Sequence, residues 1–218
     1  MKDPNSAVQY FNLFDIDKAV TTKEKILHTA LDLFSKLGYH GVSIREITRN
    51  VGIKESSLYN HFRSKEEILE CILHSFRREF ATILPAVDRL DEILADSTID
   101  EFLHKGIAIF KKHFEHPVYE KVWRIIYTEY FRHSLAKEIF LNDMICNTLS
   151  FLEIVFTKAI AAGKVREGNP RIMAAEYQYP VFAMLAEYNV LKFNNEDTTR
   201  IQQTIIDHIN YFLESIKR

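Results

Sequence analysis

Apolar residues recur three or four positions apart along most of the chain, which is the spacing of an α-helix with one buried face. Only 6 Gly and 5 Pro are present, whereas all-β chains are rich in such turn residues. The pattern therefore predicts an all-α fold. Helices are expected over about residues 22–37, 43–51, 54–61, 64–80, 100–116, 123–131, 140–163, 169–193 and 197–216.

Polar residues mark the starts of the first helices. A hydroxyl residue is followed three positions later by glutamate at Thr21–Glu24, Ser43–Glu46 and Ser64–Glu67, the pattern of a capping box. Gly38 is expected to end the first helix in the left-handed conformation, and Gly52 to form a tight turn after the second. These borders leave two short helices after a longer one, joined through a turn that contains glycine.

Such a pair of short helices is typical of a helix-turn-helix, whose second helix enters the major groove of DNA. Polar side chains of this kind can contact base edges and phosphates. The alternative is a solvated connector in a helical bundle. The exposed positions of the second short helix are predicted to be Lys54, Glu55, Ser56, Ser57, Tyr59 and Asn60.

Charge is unevenly distributed along the chain. The formal net charge is −2, yet residues 21–65 contain eight basic and four acidic residues, a net charge of +4. A basic module attached to an acidic body is expected where one part of a protein meets a polyanion. By charge alone, a chance fluctuation in a short segment explains this equally well.

The stretch GVSIREITRNVGIKESSLYNHFRSKEEIL, residues 41–69, resembles the DNA-binding signature of the TetR family of bacterial regulators. The preceding KILHTALDLFSKLGYHGVS is similar to the first helix and following turn of that family. The resemblance is continuous and in family order, and it is carried by Ile47, Gly52, Leu58–Tyr59, His61–Phe62 and Lys65.

This resemblance implies roles for individual residues. Ser43, Tyr59 and Lys65 correspond to phosphate contacts, and Lys65 also lies in the first turn of a helix, where N–H groups favour an anion. His61 corresponds to a bracing residue. Ser56 departs from the Gly or Ala of many members, which is expected to alter sequence preference only. The positions that read bases are Lys54, Ser56, Ser57 and Asn60, and those of the packing core are Ile47, Leu58 and Phe62.

The helix over residues 169–193 carries two apolar stripes, so both of its sides must be covered. The resemblance implies that the last two helices pair with those of a second subunit; complete burial within a monomer is the alternative. Pro180 is expected to bend this helix, as Pro85 is to kink or end the fourth. The predicted dimer interface consists of Met173, Tyr177, Val181, Met184, Tyr188, Ile205, Ile209 and Phe212.

The resemblance also implies a small-molecule cavity in the carboxy-terminal body. Apolar walls with a few polar groups are typical of ligand sites, although aromatic stripes at helical spacing are more often plain core. The predicted ligand-binding residues are Phe110, Trp123, Tyr127, Phe131, Met144, Asn147, Thr148, Phe151 and Gln178.

Several classes of function lack their sequence signatures. No phosphate loop, nucleophile elbow or zinc motif is present, so we expect no enzyme, catalytic residue, cofactor or metal site. Cys71 and Cys146 are interpreted as small buried residues. No uninterrupted apolar run approaches about 18 residues, so no membrane partner is expected, and the predicted location is the cytoplasm. Residues 1–20, with a net charge of −1, are assigned no site.

The predicted organisation is an amino-terminal extension (1–20), a helix-turn-helix domain (21–66) and a helical effector-binding and dimerisation domain (67–218). The expected function is a homodimeric repressor that a small-molecule effector, as yet unidentified, releases from a palindromic double-stranded DNA operator. An activator or ligand-independent DNA binder on the same scaffold is one alternative. A helical ligand-binding protein with a vestigial DNA module is the other.

Overall fold

The structure is a computed structural model that describes Leu13 and residues 21–218. Within these residues the regular elements are helices, with no strand, which confirms the predicted all-α fold. The predicted extension over residues 1–20 lies, except for Leu13, outside the described residues.

The helices follow one another through short connections. They are α1 (Thr22–Leu37), α2 (Ile44–Val51), α3 (Glu55–Leu58), α4 (Lys65–Phe80), a 3-10 turn (Val87–Arg89), α5 (Leu90–Asp96), α6 (Ile99–Glu115), α7 (Pro117–Glu129), α8 (Ser134–Glu138), a π-helical segment (Ile139–Cys146), α9 (Asn147–Ala161), α10 (Pro170–Phe193) and α11 (Thr199–Ile216).

The described residues fall into two compact units. The first combines the chain up to Thr82 with His113–Asp143, and the second combines Ile83–Lys112 with Met144–Arg218. The predicted boundary at residue 66 was drawn by function, between a DNA-binding domain and the remainder of the chain. In the structure α4, which begins at this boundary, packs with α1 and α7 inside the first unit. The functional division at residue 66 therefore stays a prediction.

The core of the first unit lies between α1, α4 and α7, which pack on one another. Phe34, Phe76 and Trp123 are each at most 1% exposed, and the ring of Phe76 meets the edge of Tyr119 with 5.3 Å between centroids. Burial of large side chains such as these supplies most of the stability of a small helical unit.

The core of the second unit lies between α9, α10 and α11. Phe156 and Tyr177 both contact Phe212, at centroid distances of 5.7 and 5.4 Å. Lys158 of α9 also pairs with Asp91 of α5 at 2.6 Å. The carboxy-terminal helices thus enclose an aromatic core of their own.

The predicted capping boxes are only partly complete. At Thr21 both reciprocal hydrogen bonds with Glu24 are present. Ser43 and Ser64 accept the expected backbone N–H bonds, but the Glu67 carboxylate accepts from the Arg63 N–H instead of closing its box. A further box, Thr98 with Glu101, opens α6 and was not predicted.

Other predicted helix ends need correction. Gly52 ends α2 in the left-handed conformation (φ 81°, ψ 32°) and forms the predicted turn. Gly38, predicted to be left-handed, instead combines φ 73° with an extended ψ of 158°. Because α4 ends at Phe80, Pro85 is not its terminator. The helix predicted over residues 140–163 begins as a π-helical segment and becomes α-helical at Asn147.

Among the described residues, the helical run Ser134–Ala161 is long and apolar enough to cross a membrane by length and composition. Its mean hydropathy is 1.5, and 39% of the apolar window is buried. Core helices of soluble proteins also meet this description. The absence of a membrane partner therefore stays a prediction.

Candidate nucleic-acid interface

The turn between α2 and α3 is fixed at both ends. Ser43 begins α2 by accepting the Glu46 N–H at 3.2 Å, and Ile47 packs α2 into the core with no exposed surface. The N–H groups of Gly52 and Ile53 both donate to the Thr48 carbonyl, at 2.9 and 3.0 Å. The positive φ of Gly52, which glycine adopts without a steric penalty, then turns the chain into α3.

The helix predicted over residues 54–61 is shorter in the structure. Its α-helical part is Glu55–Leu58, after which Asn60 N–H donates to Ser57 and His61 N–H to Leu58 in three-residue turns. Leu58 and Phe62, predicted as core, are 0% and 1% exposed. These two anchors hold one side of α3 and leave the other to solvent.

The predicted base-reading residues lie on that solvent side. Lys54, Ser56 and Asn60 are exposed, and Ser57 is half-buried. Their side chains offer an ammonium, two hydroxyls and an amide, which can donate to or accept from base edges in a major groove. The base-reading role of these four residues stays a prediction.

The three predicted phosphate contacts differ in their surroundings. Tyr59 is 54% exposed, and the hydroxyl of Ser43 keeps its own O–H to donate while it accepts from Glu46. The ammonium of Lys65 instead donates to the carbonyls of Tyr39 and Val42 at 2.8 and 2.7 Å. Two of its three N–H groups are therefore directed into the protein.

Burial and neighbouring carboxylates shift the pKa values of both Lys65 and Tyr39. The Lys65 Nζ lies 4.1 Å from the centre of the Tyr39 ring, and burial lowers the pKa of Lys65, against the opposing charges of Glu129 and Glu66. Burial and the hydrogen bond to Glu66 raise the pKa of Tyr39. The tyrosine therefore stays neutral and acts as a hydrogen-bond donor.

His61, which was predicted to brace the module, lies in the connection between α3 and α4 and is half-buried. Nearby, the Nζ of Lys23 in α1 lies 5.1 Å from the centre of the Phe62 ring. Such a contact favours a cation over an aromatic face.

The predicted ligand-binding residues are divided between the two units. Trp123, Tyr127 and Phe131 belong to the first unit, and the other six belong to the second. Phe131 is 85% exposed, because α7 ends at Glu129, so the structure does not place it on an internal wall. Within the second unit, Gln178 Nε2 donates hydrogen bonds to the carbonyls of Met144 and Ile145, at 3.2 and 3.4 Å.

Further members of this set are mostly core. Trp123 and Met144 are 1% exposed, while Thr148 and Phe151 are each 7% exposed. Phe110 and Tyr127 are half-buried, and Asn147 is exposed. Burial raises the pKa of Tyr127, which stays neutral. Their role in ligand binding stays a prediction.

The predicted dimer interface requires a correction. Met173, Tyr177, Val181, Tyr188, Ile205, Ile209 and Phe212 are 9% exposed or less within this single chain, and Met184 is half-buried. They form the face by which α10, α9 and α11 pack together. The opposite stripe of α10 is the exposed one, with Ile172, Tyr179 and Val190 at 53%, 51% and 60%.

Two further predictions concern the burial of the cysteines and metal binding. Cys71 is half-buried, but Cys146 is exposed, so its interpretation as a buried residue was wrong. Among the described residues, no group of three or more His, Cys, Asp or Glu side chains could hold a metal ion.

Sequence analysis missed two residues beside the interface. Glu129, only 3% exposed, accepts the Tyr39 N–H at 3.2 Å, and His133 lies 2.8 Å from the Glu66 carboxylate. Both are remote from the helix-turn-helix in sequence. The available signal was weak: Glu129 is an acid beside the apolar stripe of α7.

Comparison with known proteins agrees with this geometry. Residues 26–72 match the sequence model described as "Bacterial regulatory proteins, tetR family". Over 46 residues the chain is 48% identical to the biofilm operon icaADBC HTH-type negative transcriptional regulator IcaR of Staphylococcus epidermidis, covering 21% of this chain and 25% of IcaR. The match to IcaR of Staphylococcus aureus strain Newman is also 48% identical, over 48 residues, 22% of this chain and 26% of that protein. The chain thus aligns with only a quarter of these relatives.

Solved structures extend the likeness to the whole fold. A TetR-family regulator from Agrobacterium tumefaciens superposes with a TM-score of 0.62 at 20% identity, over 90% of this chain and 98% of that one. The SmeT–triclosan complex gives a TM-score of 0.62 at 21% identity, over 90% and 92%. A regulator from Saccharomonospora viridis, solved with choline, gives 0.60 at 21% identity, over 90% and 98%. In fold the described chain thus resembles TetR-family regulators, and its residues 26–72 match the sequence model of that family.

Proposed function

We propose that this chain is a DNA-binding transcriptional repressor that a small-molecule effector releases from a double-stranded operator. The observation that carries the proposal is the exposed polar edge of α3, held from behind by Leu58 and Phe62. Its segment bears a net charge of +4 within a chain of net charge −2. A cationic module of this shape fits a major groove and attracts its phosphates. The protein acts in the cytoplasm and performs no catalysis.

Repression is favoured over activation by the relatives that match the module, since IcaR is named a negative regulator. Effector binding is favoured by structural neighbours solved with triclosan and with choline. Effector and operator then share one coupling free energy, so each weakens the binding of the other by the same factor.

The proposed assembly is a homodimer, which matches the two half-sites of a palindromic operator. The support is the exposed apolar stripe of α10, in which Ile172, Tyr179 and Val190 recur on one face of the helix. Apolar stripes of this length are unusual on a monomer surface. The interface therefore uses this stripe, and not the buried stripe first predicted.

A selection from random duplex DNA tests the function directly. We expect one enriched site made of two inverted half-sites about ten base pairs apart, centre to centre. The logarithm of its affinity should fall linearly with the logarithm of salt concentration, by about 0.9 per phosphate contact. Absence of binding to every duplex, even at low salt, would refute DNA binding and favour the vestigial-module alternative.

Effector release is tested by titrating compounds in the presence and absence of the selected duplex. Equal affinity of a proven ligand in both titrations would exclude release and leave a ligand-independent binder. A reporter gene controlled by the selected site distinguishes a repressor from an activator. Deletion of the regulator should raise expression of the reporter if the regulator represses, and lower it if the regulator activates.

Subunit association is tested by the double substitution Tyr179→Glu with Val190→Glu, measured by sedimentation. Two buried charges in an interface are strongly unfavourable, so the dimer should become a monomer with unchanged helix content. The control is Phe131→Glu, which places the same charge at an 85% exposed aromatic outside α10. If both variants keep the mass of the wild type, the stripe is not the interface.

A further inference from the structure

Tyr39, in the turn between α1 and α2, is held through four of its groups. Its N–H donates to Glu129 at 3.2 Å and its hydroxyl to Glu66 at 2.7 Å. Its carbonyl accepts from Lys65 at 2.8 Å, and its ring lies under the same ammonium. We call these residues, with His133, the Tyr39 clamp.

Glu129 is the one charged residue that is buried within the described part of the chain. A buried carboxylate is costly unless nearby groups compensate its charge. The groups around it are the Tyr39 N–H, which donates at 3.2 Å, the His40 ring at 3.8 Å, and the Lys65 ammonium, whose charged form Glu129 favours against the burial that lowers the Lys65 pKa. All three groups belong to the DNA-binding module, so Glu129 is stabilised only while that module keeps its place.

His133 closes the clamp from the same part of the chain. Its Nδ1 accepts the Ala136 N–H at 3.3 Å as the cap of α8. Its Nε2 lies 2.8 Å from the Glu66 carboxylate. The N–H groups of Arg132 and His133 both donate to the Glu129 carbonyl at 2.8 Å, so the two clamp residues share one turn.

We propose that Glu129 is a positioning residue for DNA binding: from the end of α7 it fixes the Tyr39 turn, and thereby the start of α2 and the reading edge of α3. This inference rests on the proposed function. Glu129 itself is too buried to meet DNA. Loss of the Glu129 carboxylate would let the Tyr39 turn leave the conformation that binds DNA. The apparent affinity for DNA would then fall in proportion to the fraction of molecules that keep that conformation.

The test is Glu129→Gln, which keeps the size of the side chain and removes its charge. Loss of a negative charge near the module should, by electrostatics alone, strengthen binding to DNA. The proposal requires the opposite: binding weakened about tenfold or more, as for the loss of a charged hydrogen bond, with an unchanged salt dependence. Glu129→Asp should restore part of the loss.

The matched control is Glu70→Gln, which removes the same charge from an exposed position on α4. It is expected to bind DNA as tightly as the wild type or more tightly. If Glu129→Gln also binds more tightly, or loses salt dependence along with affinity, the positioning role is wrong.

Hydrogen exchange of the free protein keeps this test separate from the proposed function. Glu129→Gln should lower the protection of the Tyr39 amide, with no DNA present, and unchanged protection would overturn the inference. If the wild type binds no duplex, the proposed function fails while the exchange result still stands. Should Glu129→Gln not fold, Tyr39→Phe removes only the hydroxyl bond to Glu66 and should weaken DNA binding by about threefold; equal affinity would again contradict the clamp.

Discussion

The α2–α3 region and helix α10 both expose one side and bury the other, but they do so with different chemistry. The exposed edge of α3 is polar, and its buried side rests on Leu58 and Phe62. Helix α10 is apolar on both sides, so that Tyr177 is 7% exposed while Tyr179, two positions along, is 51% exposed.

This contrast explains why the exposed side of the helix could be predicted for α3 and not for α10. Where one side of a helix is polar, burying the wrong side would strand hydrogen-bonding groups, so the orientation follows from composition. Where both sides are apolar, either orientation buries similar area. Neighbouring helices then decide, and here α9 and α11 cover the stripe of α10 that includes Tyr177 and Val181.

The largest expected effect concerns the stability of the core that α9, α10 and α11 form. Ile209→Ala, at a position with no exposed surface, should lower the free energy of unfolding by about 2–5 kcal/mol, since it leaves a cavity. Ile206→Ala, three positions along at 45% exposure, should change it by no more than about 0.5 kcal/mol. Urea unfolding measures both, and similar losses for the two would mean that the assigned faces are wrong.

The next effect concerns the polar edge. Asn60→Ala should change which base pair is preferred at one position of each half-site, by about 1–3 kcal/mol, because an amide that reads a base is removed. Repeating the duplex selection with this variant measures the change. An unaltered consensus sequence with uniformly weaker binding would make Asn60 a backbone contact instead.

Lys65→Ala sharpens the same comparison, because Lys65 lies beside the interface with its ammonium turned inward. For this variant we expect weaker binding to all duplexes alike, with an unchanged slope of log affinity against log salt concentration. The reason is that the main contacts of the Lys65 ammonium are the carbonyls of Tyr39 and Val42. A slope reduced by about one unit would show a direct phosphate contact, as the family resemblance implies.

The smallest effect is a dependence of stability on pH through His116. Burial lowers its pKa below the ordinary 6.5, and its Nδ1 accepts the Val118 N–H at the start of α7. The stability that this contributes is present above pH 6.5 and is lost as pH falls towards the lowered pKa, because the unfolded chain binds the proton more readily. His116→Asn keeps a capping side chain, so its thermal midpoint should vary less than that of the wild type between pH 7.5 and 5.5.

Much of the fold and of the candidate interface was accessible from local signals. The start of α1 at Thr21, the turn at Gly52 and the anchors Leu58 and Phe62 follow from neighbouring residues. The shortened α3 and the inward turn of Lys65 do not, since they depend on carbonyl groups that other segments present.

The sequence by itself determined that this chain is helical, where its first helices begin and that the exposed side of α3 is polar, because capping and periodicity act within a few residues. Tertiary structure alone decided which stripe of α10 faces solvent and how Glu129 reaches Tyr39 across 90 positions. Both outcomes depend on which segments come to share one core, and that choice is made by the packing of the whole chain.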